Sequence, residues 1–317
     1  MRDRRIDLIF LFAIVAAVPT AAGDGPAQEP NSFRVVGYLP DYRAAEFDLV
    51  TARGLTDLVL FSAEPTEAGA LDLSRLKNIP WAKLRAFKTV ESVRLILGVG
   101  GWDRSTHFST VAGSDVKRQT FVKTAVRVCL DERLDGVDLD WEHPRNEAEV
   151  EGYAKLLAEL HRAFEPHGLV LSVTLAGWQP LPRKAFDAVD WVNVMSYDNP
   201  GRHSTFGAAQ ADVKRLIDAG ATARKITLGL PFYGRDKLKP EQTMTYREII
   251  AKHRLGPDVD EIGSLYFNGP TTIGRKTEYA IQSHLAGVMV WELGQDAAGD
   301  QSLLKVIRAV LERSPRK

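Results

Sequence analysis

The chain has 317 residues, balanced at 41 basic and 41 acidic side chains, and 44% of it is hydrophobic. That length holds one large domain or two ordinary ones, and the even charge gives no ground for a nucleic-acid partner or an anionic membrane surface. A single cysteine, Cys129, rules out an internal disulfide; its expected role is that of a small apolar residue on a core-facing helix.

At the N-terminus, Arg2, Arg4 and Arg5 precede an apolar run from Leu8 to Val18, followed by Ala21-Ala22-Gly23. This is the three-part pattern of a secretory signal peptide, with cleavage expected near Ala22. The apolar run is short for a membrane span, so the mature form is expected off the membrane. Residues 24–32 are a polar linker rich in turn formers. The expected layout is a signal segment over 1–22, a linker over 23–32 and one folded barrel over 33–317. Export without disulfides fits a bacterial periplasm or exterior, so the protein is expected to be secreted or periplasmic.

Eight short β-branched runs then recur: Val35–Leu39, Asp57–Ser62, Arg94–Val99, Gly136–Glu142, Leu169–Leu175, Trp191–Tyr197, Ile226–Tyr233 and Gly287–Leu293. Most lack strict polar alternation, as strands covered on both faces do. Helical patterns lie between them. Residues 115–130 carry a stripe of Val122, Ala125, Val126 and Cys129, and residues 147–165 one of Tyr153, Leu157, Leu160 and Phe164. Residues 208–219 carry Val213, Leu216 and Ile217 with Gly220 as a C-terminal cap, and residues 301–313 carry Leu304, Ile307 and Leu311. Eight strands alternating with helices predict an α/β protein, a single (β/α)₈ barrel. A doubly wound sheet is disfavoured because the first strand ends Gly37-Tyr38-Leu39-Pro40-Asp41, not in a phosphate-binding glycine turn. The longest interval, between the seventh and eighth strands, holds an amphipathic piece at Tyr246–Arg254 and a Gly/Pro-rich stretch at Gly263–Gly274. It predicts a modest insertion rather than a second domain.

Active sites of such barrels form at the C-terminal ends of the strands. Those ends carry Tyr38 and Asp41; Gly98-Val99-Gly100-Gly101-Trp102-Asp103; Ala176-Gly177-Trp178; Met195-Ser196-Tyr197-Asp198; Pro231-Phe232-Tyr233-Gly234-Arg235; and Trp291-Glu292. Aromatic faces beside polar groups at so many ends suit sugar rings.

The fourth strand is the most informative. In Asp135-Gly136-Val137-Asp138-Leu139-Asp140-Trp141-Glu142, strand alternation sends Asp138, Asp140 and Glu142 one way and Val137, Leu139 and Trp141 the other. Three carboxylates spaced about 6–7 Å apart on one face repel, and one is forced to hold a proton near neutral pH. Paired carboxylates with sugar-stacking aromatics point to glycoside hydrolysis. Glu142, nearest the barrel mouth, is the acid candidate, and Asp140 is expected to raise its pKa so that the two titrate together. Asp135 has the opposite parity and is expected to be a structural hydrogen-bonding residue. His143 is read as incidental to the acid beside it, and Cys129 is assigned no site.

On these residues the chain resembles glycoside hydrolase family 18, the chitinase family. Asp135, Gly136, Asp138, Asp140 and Glu142 match its D-G-x-D-x-D-x-E signature in full. Gly98–Gly101 looks like its S-x-G-G, Met195–Asp198 like its M-x-Y-D, and Trp291 like its strand-eight tryptophan. The resemblance runs from about Val35 to about Leu311. It implies a retaining, substrate-assisted mechanism in which the 2-acetamido oxygen of the substrate attacks the anomeric carbon. By position, Glu142 would protonate the glycosidic oxygen and later activate water. Asp140 would orient the acetamido N–H, Asp138 would share a proton with Asp140, and Tyr197 would bond the acetamido carbonyl side. Asp198 would hold the distorted sugar and Trp291 would stack beneath it. Tyr38, Gly100, Gly101, Trp102, Trp178, Met195, Tyr233 and Arg235 complete the expected substrate-binding set, with Asp135 and Gly136 as the structural part of the motif. No metal or organic cofactor is implied. The expected partner is a polysaccharide or oligosaccharide containing N-acetylglucosamine, and a monomer is expected.

Two alternatives share these residues: an endo-β-N-acetylglucosaminidase acting on N-glycans or peptidoglycan, and a non-catalytic chitin-binding lectin, which loss of the terminal glutamate would mark. There are two departures from the family pattern. Gly98 stands where the pattern has serine, removing a hydroxyl expected to bond the inner aspartate. The insertion is too short for the full domain that walls the groove in many members, so an open groove and internal cleavage are expected.

Overall fold

The structure is a computed structural model and describes residues 33–314. The expected signal segment over 1–22 and the linker over 23–32 lie outside the described residues.

The apolar runs form eight parallel strands: β1 (Arg34–Pro40), β2 (Asp57–Pro65), β3 (Arg94–Gly100), β4 (Gly136–Asp140), β5 (Val170–Ala176), β6 (Trp191–Met195), β7 (Ile226–Pro231) and β8 (Gly287–Trp291). Each pairs with its neighbours in chain order, and β1 pairs with both β2 and β8, which closes the barrel. Closure explains the missing polar alternation, since one face of every strand meets the helices and the other fills the interior. Leu58, Leu60, Leu95, Leu97, Val137 and Leu139 pack outward beneath the helical layer. Val36, Tyr38, Val59, Phe61, Ile96, Trp191 and Met289 fill the inside.

The helical stripes bury in part: Ala125 and Cys129 of the helix Asp115–Glu132 and Leu304 and Ile307 of the helix Leu303–Arg313 are buried, whereas Val122, Val126 and Leu311 are half-buried. Tyr153, Leu157, Leu160 and Phe164 of the helix Glu147–Phe164 are all buried. The helix Phe206–Asp218 buries Val213 and Leu216, but Ile217 is exposed. Ile217 is one position off the stripe, about 100° round the helix from Leu216. Gly220, at φ +107, stands just past the C-cap of this helix.

Strand ends differ most from expectation. The fourth strand stops at Asp140, the sixth at Met195 and the eighth at Trp291, so Glu142 and Tyr197 belong to the loops that follow and Leu293 opens a short 3-10 helix, Leu293–Gln295. The seventh does not run through to Tyr233. It ends at Pro231, and Tyr233–Asp236 opens a second, antiparallel sheet with Thr243–Thr245, Leu265–Tyr266 and Glu261–Ile262. This sheet and the helix Tyr246–Lys252, started by a Thr245/Glu248 capping box, are the insertion. The Gly/Pro-rich stretch is partly helical, because Pro270 occupies the first turn of the helix Pro270–Gln282, where its missing N–H costs nothing.

Candidate active site

β4 carries Asp138 and Asp140 into the barrel interior beside β3, in register Gly98↔Asp138 and Gly100↔Asp140. Asp138 is fully buried and accepts from four side chains on three strands. These are Ser172 Oγ at 2.6 Å and Asn193 Nδ2 at 3.0 Å on Oδ1, and Tyr38 Oη at 2.8 Å and Thr174 Oγ1 at 2.9 Å on Oδ2. Burial pushes its carboxyl up, and these four donors oppose the shift. Asp140 is 3% exposed, and its Oδ1 has no hydrogen-bond partner among the described residues. Burial, then the charges of Glu142 and Asp138, hold its carboxyl well above the usual range. No hydrogen bond joins Asp138 to Asp140. Both carboxyls are raised, and the two aspartates are linked through the charge of Asp138 on Asp140.

Glu142 lies just past the strand in a tightly tied loop. Gly100 and Gly101 have φ of +99° and +101°, and an added Cβ would fall 2.3 Å from the Asp140 carbonyl oxygen and 2.1 Å from Phe61 Cζ. Only glycine fits there. The Gly101 N–H donates to the Asp140 carbonyl at 2.6 Å. Ser105 Oγ lies 3.0 Å from the Gly101 carbonyl and accepts from the Glu142 N–H at 3.0 Å. Both glycines are buried, immediately before Trp102. Burial, followed by the charge of Asp198, raises the Glu142 carboxyl to about 7, with the Trp102 backbone opposing. Burial is the largest cause, and the charge of Glu142 in turn raises Asp140, the neighbour expected to titrate with it.

The rim sorts the remaining residues. Trp291 packs edge-on to Phe61 at 4.9 Å and tilted to Tyr38 at 5.7 Å. Tyr38 is 1% exposed; it sits beneath this stack with its hydroxyl on Asp138, so it supports the aspartate instead of facing substrate. Met195 is half-buried against the same interior cluster. Asp198 accepts from Tyr233 Oη at 2.5 Å and pairs with Arg235 at 2.7 Å, so the insertion brings both of its expected residues to the mouth. Tyr197 packs on Tyr233 at 6.2 Å, its hydroxyl directed at Met289 Sδ. Trp102 and Trp178 are exposed at 71% and 62%, available as flat apolar faces. Asp135 behaves structurally, accepting from Lys88 Nζ and from the Leu95 N–H, both at 2.7 Å. Gly136 opens β4 against the Val170 carbonyl. A cleft of about 310 Å³ runs from Trp102, Asp103 and Ser105 past Trp141, Glu142 and His143 to Arg145 and Glu149.

Ser172, Thr174, Asn193, Ser105 and Gln179 support the site without having been singled out from the sequence, and His143, read there as incidental, lies beside Glu142. The first three had a signal: polar residues at alternate places in otherwise apolar strands, hence facing the interior.

A buried acidic row ending in a proton-holding glutamate, ringed by aromatic faces at a barrel mouth, is the make-up of a glycoside hydrolase. The family model for glycosyl hydrolases family 18 matches residues 34–296, and the chain belongs to that family. It is 26% identical over 272 residues to probable chitinase 2 of Drosophila melanogaster, covering 64% of this chain and 56% of that protein. It is 25% identical over 275 residues to chitinase 1 of Aphanocladium album, covering 68% and 65%. The chain thus spans less than two thirds of the length of these curated relatives. Among solved structures, the family 18 chitinase ChiB from the chitin utilization locus of Flavobacterium johnsoniae superposes at a TM-score of 0.78 with 31% identity, over 88% of this chain and 94% of that one. A chitinase from Bacteroides thetaiotaomicron shares the fold at a TM-score of 0.81 and 23% identity, over 90% and 99%.

Proposed function

We propose that the protein is an exported chitinase that cleaves β-1,4-linked N-acetylglucosamine chains internally, with retention of configuration. The observation that carries this is the pairing of Asp140 with Glu142. A buried carboxylate oxygen without a donor stands beside a carboxyl raised to about 7. The first suits an incoming acetamido N–H, and the second suits a general acid at neutral pH.

In the first step Glu142 gives its proton to the glycosidic oxygen as the C–O bond breaks. The acetamido carbonyl oxygen of the same sugar attacks the anomeric carbon from the opposite face. The proton held by the buried Asp140 carboxyl is shared with Asp138, which leaves Asp140 the negative charge to accept from the acetamido N–H and balance the oxazolinium that forms. In the second step the Glu142 carboxylate takes a proton from water, which attacks the anomeric carbon and opens the oxazolinium. Two inversions give the β-anomer. Tyr197 and Asp198 hold the acetamido and ring hydroxyls, Trp291 lies under the sugar, and the cleft past Trp102 receives the leaving portion. An open cleft on that side favours internal cleavage.

The test is NMR of fresh products from chitotetraose, with a high-mannose glycan and peptidoglycan in parallel. The expected result is β-anomer from the chitin oligomer. Initial α-anomer would overturn the mechanism, and turnover of only the other two glycans would overturn the substrate.

A further inference from the structure

We propose that His143 is a positioning residue for Glu142, the two side chains holding one proton between them while Gln179 selects the imidazole nitrogen that takes part. This rests on Glu142 being the general acid.

Gln179 is buried. Its Nε2 donates to the Trp141 carbonyl at 3.3 Å, which turns its Oε1 toward His143 Nδ1 at 2.7 Å. An amide oxygen only accepts, so the neutral imidazole carries its hydrogen on Nδ1. The bare Nε2 lone pair then faces Glu142 Oε2 at 3.6 Å, with the two side chains only 20% and 14% exposed. Trp178 packs on the imidazole at 4.7 Å and holds the ring in place.

Two arrangements carry the same proton count: protonated Glu142 beside neutral imidazole, and the Glu142 carboxylate beside imidazolium. The surroundings favour keeping that proton. Asp138 and Asp140 lie behind it on β4, Asp198 and Tyr197 follow β6, and Asp103 follows β3. On the far side of the cleft Glu149 and one cation, Arg145, complete the lining. Carboxylates dominate this set, and two acceptors facing each other release their last proton at higher pH than either would alone. His143 therefore extends the pH range over which Glu142 can act, without touching substrate.

The test is ¹⁵N NMR of the full chain labelled at histidine, with the His143 signal assigned by its loss in His143→Phe. The expected result is a ring that carries its hydrogen on Nδ1 at alkaline pH and whose Nε2 signal moves in Glu142→Gln, where the facing carboxyl is gone. A ring carrying its hydrogen on Nε2, or an Nε2 signal unmoved by Glu142→Gln, would overturn the proposal. In kinetics, His143→Phe keeps a flat ring against Trp178 and should move the alkaline limb of kcat/KM down by about half a unit with KM unchanged. Gln179→Glu, which places negative charge on Nδ1, should move it up. Equal shifts in both variants would mark a packing effect and overturn the assignment. Should Glu142→Gln keep full turnover, the functional reading fails, whereas the NMR coupling stands or falls separately.

Discussion

Gly98→Ser restores the hydroxyl that the family pattern would place beside the inner aspartate, and the structure sets its effect. Gly98 faces the interior opposite Asp138. A Cβ there would lie 3.0 Å from Phe61 Cδ2 and 3.2 Å from both the Leu60 carbonyl oxygen and Val59 Cγ1. The carbonyl belongs to β2 and cannot yield. Phe61 is wedged between Tyr38 at 5.8 Å and Trp291 at 4.9 Å. Overpacking of this kind costs about 1–3 kcal/mol. The gain is small, because Asp138 already accepts from four donors, and a further neutral hydrogen bond contributes at most about 0.5–1.5 kcal/mol. The variant should be less stable by about 1 kcal/mol, a fall in Tm of about 2–4 °C. Displacing Phe61 tilts Trp291, so KM should rise while the pH profile stays in place. Thermal unfolding and kcat/KM from pH 4 to 9 on one soluble oligomer check this. A variant as stable as the parent, with its alkaline limb shifted upward, would refute the packing argument and show that Asp138 lacks a donor.

Glu142→Gln should lower turnover about 10²–10⁴-fold, the usual contribution of general acid catalysis, as measured on chitotetraose. The same variant should be more stable than the parent at neutral pH. Glu142 titrates from 4.5 unfolded to about 7 folded, so its penalty is absent below 4.5 and complete above 7. Equilibrium unfolding should show the gap opening across that window, to at most about 3 kcal/mol. The parent's kcat/KM should fall as pH rises through about 7, since the acid acts only while protonated. Lys276 is fully buried with its ammonium on the Ser204 carbonyl at 2.8 Å, Ser204 Oγ at 2.7 Å and Asn268 Oδ1 at 2.7 Å. Burial lowers its pKa from 10.5 to about 7. The unfolded chain then binds more protons between those values, so Lys276 should make stability rise with pH across that window. In Lys276→Met that rise should be lost, amounting to about 2 kcal/mol between pH 7 and 9 by urea unfolding. Asp57 is buried between Arg94 Nε at 2.6 Å and Arg34 at 3.3 Å, both guanidinium groups lying over the Trp191 ring. Asp57→Ala should cost about 3 kcal/mol, the low end for breaking a buried pair, because the two guanidinium groups left uncompensated are only half-buried, read as a lower urea midpoint.

The sequence by itself determined the barrel and its acidic row. Eight apolar runs alternating with helical stripes leave few ways to bury every face, and a period of two puts Asp138 and Asp140 on one face of their strand, opposite Val137 and Leu139. It also separated Asp135 from them by parity alone. Strand ends were not legible, because the last residues of a strand are set by what the next loop can bond. Ser105 and the glycines at 100 and 101 end β3 and fix Glu142, and Pro231 hands the chain to the insertion. Tertiary structure alone decided who supports whom. Tyr38 became a donor to Asp138 because Trp291 covers it, and Ser172, Thr174 and Asn193 supply the hydroxyl and amide groups that make a serine at 98 unnecessary. His143 gained its role the same way, since its partner Gln179 lies 36 residues further along the chain. Alternation says which face a side chain takes; only closure of the barrel says which distant strand stands opposite.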